Sequence, residues 1–372
     1  MYDNKKRLLT ILIVAALIFS IFTIYISSAP KQRLSARSAA LYEPETKRFL
    51  YLENENERLA MASTTKIMTA LLALENLDLK KVIEVPSEAV GIEGSSLYLN
   101  EGEILTAESL IYGLMLGSAN DAAVALALEI SGSLENFSAL MNERAAKIGL
   151  SDTNFKNPHG LDDKEHYTTA RELALITAEA LKNEDFKTIS SCYKKEIESS
   201  DKTRVLVNHN KLLKSYDGCI GVKTGYTKKS GRSLVSAAER DGLTLIAVTI
   251  NAPDDWRDHT ALLDYGYSLL EKRALAYDGE YSFNLPVIEG EKDKVCVSNK
   301  GALYKILSKD DTDYDVSVKL DRFAVAPIKK GDKLGEVIFS KNDEEIARLP
   351  LLADDFVNKK EKKSFFSFFK KG

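Results

Sequence analysis

A chain of 372 residues, 44% of them hydrophobic and 28% charged, is neither disordered nor wholly membrane-embedded, and its length suits two folded units of ordinary size. The formal net charge of -4, with no basic stripe interleaved with aromatics, excludes nucleic acid as the main partner. Cys192, Cys219 and Cys296 have neither Cys-x-x-Cys nor Cys/His ligand spacing, so no metal and no other cofactor is expected. The three are predicted to pack as small buried apolar residues.

At the start of the chain, Lys5, Lys6 and Arg7 precede an apolar run from Leu8 to Ile26, broken by Thr10, Ser20 and Thr23. A basic segment before an apolar stretch is an export signal. Cleaved signals carry apolar cores of about 7–15 residues, whereas a bilayer span takes about 20. Residues 1–30 are therefore expected to be an uncleaved anchor with its basic end inside, leaving the remainder on the extracytoplasmic face of the cell membrane. Cleavage near Ala29 or Ala36 is the alternative.

Ala39 to Tyr42 and Arg48 to Tyr51 predict a hairpin around Glu43-Pro44-Glu45-Thr46. From Ser63 the apolar residues Ile67, Met68, Leu71, Leu74 and Leu77 recur at helical spacing. Two further helices are predicted between Ala107 and Ile130, interrupted at Gly117-Ser118-Ala119-Asn120, followed by helices over Phe137–Ile148 and Thr169–Leu181. Strands are expected at Val205–Val207, Cys219–Thr224, Ser233–Ala237 and Leu243–Thr249, with a closing helix over Trp256–Leu270. Strands at both ends of a helical middle predict an α/β unit over residues 34–272, its sheet assembled from distant segments beside a helical subdomain. Residues 278–354 change to short alternating runs such as Tyr314/Val316/Val318/Leu320, which predicts a small all-β domain. In the tail, 355–372, Lys359, Lys360, Lys362 and Lys363 lead into Phe365, Phe366, Phe368 and Phe369. That pattern suits either a membrane interface or a frayed end.

Several catalytic designs are absent: no Gly-x-Ser-x-Gly elbow, no His-Glu-x-x-His and no phosphate-binding Gly-x-x-x-x-Gly-Lys. With only four histidines, a serine nucleophile needs another base, and a lysine of lowered pKa serves. Ser63 and Lys66, three apart at a helix start, share one face. There Ser63 also meets unpaired N–H groups and the positive dipole end, both suited to an oxyanion. Ser-x-x-Lys by itself is weak, recurring at Ser28, Ser191, Ser199 and Ser367, and Ser-x-Asn recurs at Ser282 and Ser340. Lys223-Thr224-Gly225 occurs once, in a strand-like run. The ordered set carries the signal: Ser-x-x-Lys at a helix start, Ser-x-Asn at a helix break, Lys-Thr-Gly on a strand.

This set resembles the penicillin-binding and serine β-lactamase superfamily, and more narrowly the low-molecular-weight penicillin-binding proteins, the serine D-alanyl-D-alanine carboxypeptidases. The residues that carry the likeness are Ala62-Ser63-Thr64-Thr65-Lys66-Ile67-Met68-Thr69, Gly94-Ser95-Ser96, Ser118-Ala119-Asn120-Asp121-Ala122-Ala123, Met141-Asn142, Asn157-Pro158-His159-Gly160-Leu161 and Lys223-Thr224-Gly225-Tyr226-Thr227. Ala119 and Glu172 depart from the family's usual glycine and aspartate.

The resemblance implies a β-lactamase/transpeptidase-like antiparallel sheet flanked by helices, and it implies roles. Ser63 attacks the penultimate D-alanine carbonyl of a peptidoglycan stem peptide ending in D-Ala-D-Ala, and Lys66 takes its proton. Ser118 relays a proton to the leaving amine, and Asn120 holds the substrate's amide. Lys223 and Thr224 bind the terminal carboxylate. Backbone N–H groups of Ser63 and Tyr226, beside Gly225, form the oxyanion hole. β-Lactam antibiotics acylate the same serine. The alternatives are a class A-like β-lactamase and a non-hydrolytic penicillin-binding sensor. Blander roles remain for each residue alone: Ser63, Ser118 and Asn120 as helix caps, Lys223 as a solvated strand charge, and His159 as a hydrogen-bonding loop residue.

Overall fold

The computed structural model describes residues 33–361. The predicted anchor over 1–30 and the end of the tail, beyond 361, lie outside the described residues. Among the described residues no helix is long and apolar enough to cross a membrane.

The first hairpin is β1 (Ser38–Glu43) and β2 (Arg48–Glu53). A 3-10 turn, Ala62–Thr65, leads into α1 (Lys66–Asn76). Ser63 therefore stands in a tight turn just before the helix that the apolar spacing had started at Ser63 itself. A short hairpin of β3 (Val82–Glu84) and β4 (Ile104–Thr106) follows. Then come α2 (Ala107–Leu116), α3 (Asn120–Ser131), α4 (Leu134–Ile148), α5 (Ala170–Ala180) and α6 (Glu184–Ser191). Thr106, Ser133, Thr169 and Asn183 each accept a backbone N–H at their helix start, which fixes where four of these helices begin. The predicted strand at Val205–Val207 forms as β6 (Thr203–Val207). It pairs with β5 (Lys194–Glu198), outside the main sheet.

After the four-residue helix α7 (Leu212–Ser215) run β7 (Cys219–Thr227), β8 (Gly231–Arg240), β9 (Leu243–Ile250) and α8 (Asp255–Leu269). The main sheet has the order β2-β1-β9-β8-β7, antiparallel throughout. Side chains alternate between its faces. Ala40, Tyr42, Val235, Ala237, Ile246 and Val248 face α1 to α6 in one core. Leu41, Leu234, Ala238, Leu245 and Ala247 face Leu262 and Leu263 of α8 in another. Within the helical layer α3 is buried from Asn120 to Ala127, because its run of small and apolar residues leaves no polar stripe for water. β7 ends the sheet, so among the described residues its outer backbone edge has no partner strand.

The chain passes from Leu269 directly into β10 (Leu270–Ala276), then β11 (Ser282–Ile288), β12 (Lys294–Ser298) and β13 (Leu303–Ser308). β10 pairs with β13. The remaining strands are β14 (Asp315–Leu320), β15 (Ala324–Val325), β16 (Lys333–Lys341) and β17 (Glu344–Ala353), in a six-stranded sheet ordered β14-β16-β17-β12-β11-β15. Leu285, Val297, Val337, Phe339 and Leu351 fill its separate core. All three cysteines are free and half-buried, less enclosed than their composition suggests.

Candidate active site

The turn carrying Ser63 is clamped from two sides. Ala62 is held at φ 48°, a left-handed backbone that a non-glycine residue keeps only where its surroundings enforce it. On one side the loop Asn157–Leu161 presses against the turn. A Cβ added at Gly160 would lie 1.9 Å from the Ala62 carbonyl oxygen. On the other side runs β7, where a Cβ at Gly225 would lie 3.1 Å from the Ser63 amide nitrogen. Glycine is required at 160 by close approach, and at 225 a side chain would press on the turn. Gly160→Ala is expected to displace the turn, lowering penicillin labelling by more than tenfold and costing about 2–3 kcal/mol. Thermal unfolding with labelling kinetics checks both.

The turn aims Ser63 at Lys66. Lys66 Nζ lies 3.0 Å from Ser63 Oγ, 2.6 Å from Asn120 Oδ1 and 2.7 Å from the His159 carbonyl oxygen. Its side chain is fully buried. Burial, and then the charge of Lys223, hold its pKa well below the ordinary lysine value, against a smaller opposing effect of Asp121. A neutral amine has two N–H donors and one lone pair. In that form Asn120 and His159 can accept both N–H bonds, with the lone pair directed at the Ser63 hydroxyl.

Asn120 is fixed in turn. Its Nδ2 donates to the Glu93 carbonyl at 2.5 Å and its backbone N–H to the Ser95 carbonyl at 2.7 Å. Asp121 accepts from Ser96 Oγ and from the Leu97, Leu99 and Ala122 N–H groups at 2.6–3.1 Å. These bonds dock the Gly94–Leu99 loop onto the start of α3. Arg204 of β6 holds the loop from behind. It donates to the Leu97 carbonyl at 2.9 Å and to the buried Glu103 carboxylate at 2.6 and 3.0 Å.

The capping roles have no geometric support. The residues preceding α1 and α3 are Thr65 and Ala119, neither with a side-chain cap bond. Ser118 stands at φ 57° and faces the cleft. Lys223 is 1% exposed, which removes the solvated-charge role. Burial lowers its pKa to about 7, and its one side-chain hydrogen bond goes to the Thr224 carbonyl at 3.1 Å. His159 is a loop hydrogen-bonder, accepting the Leu161 N–H at Nδ1 over 3.2 Å. His166 Nδ1 accepts the Lys156 N–H, so its Nε2 donates to Thr65 Oγ1 at 2.7 Å, and Thr65 donates to the Ala62 carbonyl. Of the two departures from the family pattern, Ala119 is buried, and Glu172 accepts from Ser151, Asp152 and Thr153, away from Ser63.

A cleft of about 720 Å³ opens over Ser63. Ser118, Thr224, Gly225 and Tyr226 line it, and Lys66, Asn120 and Lys223 lie buried behind its wall. The predicted site residues thus converge on one place. Ser95, quoted in the Gly94-Ser95-Ser96 motif but given no role, also lines the cleft, as do Arg232 and Asp255, which sequence reasoning did not find. Arg232 sits opposite Tyr226 on β8 and pairs with Asp255 at 2.9 Å. The Lys228-Lys229-Ser230 turn between β7 and β8 sets that register and was the available signal.

Two family models match the chain: D-alanyl-D-alanine carboxypeptidase over residues 25–254, and Penicillin-binding protein 5, C-terminal domain, over residues 271–359. The D-alanyl-D-alanine carboxypeptidase DacF of Bacillus subtilis is 34% identical over 382 residues, covering 98% of this chain and 97% of that protein. DacC of Escherichia coli is 30% identical over 86% of this chain and 83% of its own. Among solved structures, the carboxypeptidase DacD from Francisella tularensis superposes with a TM-score of 0.66 at 27% identity, covering 90% of this chain and 96% of that one. The Streptomyces K15 DD-transpeptidase superposes with a TM-score of 0.62 at 31% identity, covering 65% and 100%. A serine turn, a buried lysine and a Lys-Thr-Gly edge strand, matched across nearly the whole length of a relative, make this chain a member of the S11 peptidase family of D-alanyl-D-alanine carboxypeptidases.

Proposed function

We propose that this protein is a serine D-alanyl-D-alanine carboxypeptidase that removes the terminal D-alanine from peptidoglycan stem peptides through an acyl-serine intermediate. The observation that carries this reading is the 3.0 Å approach of Lys66 Nζ to Ser63 Oγ, with the other two Lys66 contacts already taken by acceptors. Lys66 withdraws the hydroxyl proton as Ser63 attacks. The amide bond to the terminal D-alanine breaks, Ser118 passes a proton to its amine, and water then cleaves the ester. Asn120 holds the substrate's amide with the Nδ2 hydrogen not used by Glu93. The N–H groups of Ser63 and Tyr226 meet the oxyanion where Gly225 lets β7 close on the turn. Lys223, Thr224 and Arg232 meet the terminal carboxylate. β-Lactams acylate the same serine. Family membership supports peptidoglycan and β-lactams as the ligands, and the basic-apolar start of the chain supports an anchor holding the site outside the cell membrane.

A β-lactamase would need a base to clear the acyl-enzyme rapidly. Among the described residues the one carboxylate lining the cleft, Asp255, is 2% exposed and paired with Arg232, which favours a long-lived β-lactam adduct. D-Alanine release from a diacetyl-Lys-D-Ala-D-Ala peptide supports the carboxypeptidase. Rapid penicillin turnover without peptide cleavage would overturn it.

Carboxylate binding by Lys223 gives a pH signature. With a free-enzyme pKa of about 7, the binding cation is lost as pH rises, so KM should climb up to about tenfold per unit above pH 7. Turnover at saturation should change less, because the bound carboxylate raises the Lys223 pKa. Lys223→Arg stays charged and should flatten the KM limb; a limb that survives in that variant counts against the role.

A further inference from the structure

We infer that the cleft extends past the terminal-carboxylate pocket into a cationic subsite selecting a leaving residue with a second negative charge, a D-amino acid bearing an acidic side chain. The inference rests on the carboxylate placement at Lys223 and Thr224 proposed above, which fixes where the leaving residue sits.

Beyond that point the cleft is lined by Tyr193, Asn208, His209, Lys211 and Lys214. His209 lies close enough to Lys223 for that charge to add to the lowering of its pKa by burial, so this stretch adjoins the carboxylate end. The backbone there is firmly built. Asn208 donates from Nδ2 to the Ser190 and Cys192 carbonyls at 3.3 and 3.1 Å, and from its N–H to the Tyr193 carbonyl at 2.8 Å. Asn208 and Asn210 side chains accept the Asn210 and Leu212 N–H groups at 2.9 and 3.1 Å. Leu212 and Tyr216 anchor the following turn in the α8-side core. Lys214 Nζ stands 3.8 Å from the Tyr193 ring centroid. Neither Lys211 nor Lys214 has a carboxylate partner among the described residues, and Asp255, the sole acid on the cleft wall, is taken by Arg232.

The terminal alanine offers a methyl group to this stretch and fills little of a cleft of about 720 Å³. A side-chain carboxylate one or two carbons longer reaches toward two ammonium groups without a carboxylate partner among the described residues, and a wall of one charge sign concentrates the opposite charge. The bond broken and the water consumed are those of the reaction above, and only the side chain on the leaving amine differs.

The test is hydrolysis of diacetyl-Lys-D-Ala-X peptides in which X is D-Ala, D-Glu, D-Gln or D-Lys. D-Glu and D-Gln are nearly isosteric, so their ratio reads charge. The kcat/KM for D-Glu is expected to exceed that for D-Gln about five- to tenfold at low salt, and the advantage should shrink severalfold in 0.5 M NaCl. Lys211→Glu with Lys214→Glu should invert the order in favour of D-Lys, whereas the double arginine variant should preserve it. Equal rates for D-Glu and D-Gln in the unmodified protein, alongside normal D-alanine release, would overturn the subsite and leave the carboxypeptidase standing. Release from none of the peptides would overturn both. The unmodified protein alone decides between these outcomes if the charge-reversed variant does not fold.

Discussion

Ser63→Ala is expected to abolish labelling by a fluorescent penicillin and to cut D-alanine release by about 10³-fold or more. No other hydroxyl replaces it. Ser118 stands outside the Ser63 turn with a left-handed backbone, and among the described residues Lys66 Nζ has one hydrogen-bond contact besides its two acceptors, the Ser63 oxygen. The fold should tolerate the change, because Lys66 keeps the Asn120 and His159 bonds and the turn keeps its clamps from Gly160 and Gly225. Stability should shift by no more than about 1 kcal/mol. Gel fluorescence and a D-alanine assay on the same preparation read both effects. Undiminished labelling of a folded variant would remove Ser63 as nucleophile.

Lys66→Met should have an effect of similar size, about 10²–10⁴-fold in the acylation rate. Methionine approximates the length of the lysine stem without a basic nitrogen. It leaves Asn120 Oδ1 and the His159 carbonyl without a donor, at about 1–3 kcal/mol. Removal of a buried amine offsets part of that, so the variant should remain folded. The pH dependence separates a base from a merely structural amine. Burial and Lys223 depress the Lys66 pKa, so the unmodified protein should acylate at full rate far below the usual lysine range. At saturating ligand its rate should fall as pH drops through the depressed value, where Lys66 gains a proton. Stability follows with its own sign. Between the depressed folded pKa and the ordinary unfolded one, the unfolded chain binds a proton that the folded chain does not, so stability rises with pH across that window. Below the folded pKa both states carry the proton and the dependence levels off. Lys66→Met should remove this slope, leaving the one due to Lys223, whose window runs from about 7 upward. Stopped-flow acylation and denaturant titrations at several pH values measure the two. An unchanged acylation profile in the methionine variant would dismiss Lys66 as the base.

Much of the architecture was legible before any coordinates. The α1 helix formed with the predicted apolar face but three residues later than its expected start, α3 followed the predicted break, and β8 and β9 formed over the expected segments, slightly longer. The short hairpins were harder. β3 spans three residues and β5 offers one core residue, Ile197, too little to establish a period of two. β6 was seen but assigned by implication to the wrong sheet, because strand pairing is a long-range choice that local pattern does not encode. The cysteines misled through composition: small and apolar, they were expected inside, yet each sits at a half-covered position.

The residue types and their order were determined by the sequence: a serine three before a lysine, a Ser-x-Asn, and a single Lys-Thr-Gly. That much is chemistry at fixed spacing, which puts the hydroxyl within one turn of the amine, while the clamped 3-10 turn aims it. Tertiary structure alone decided that the amine's pKa is depressed. Its pKa depends on burial beneath α3, on Lys223 from a strand 157 positions later in the numbering of the chain, and on acceptors supplied by Asn120 and the His159 carbonyl. None of these is near Lys66 along the chain. Desolvation and Coulomb repulsion act through space, and only the folded packing sets those distances.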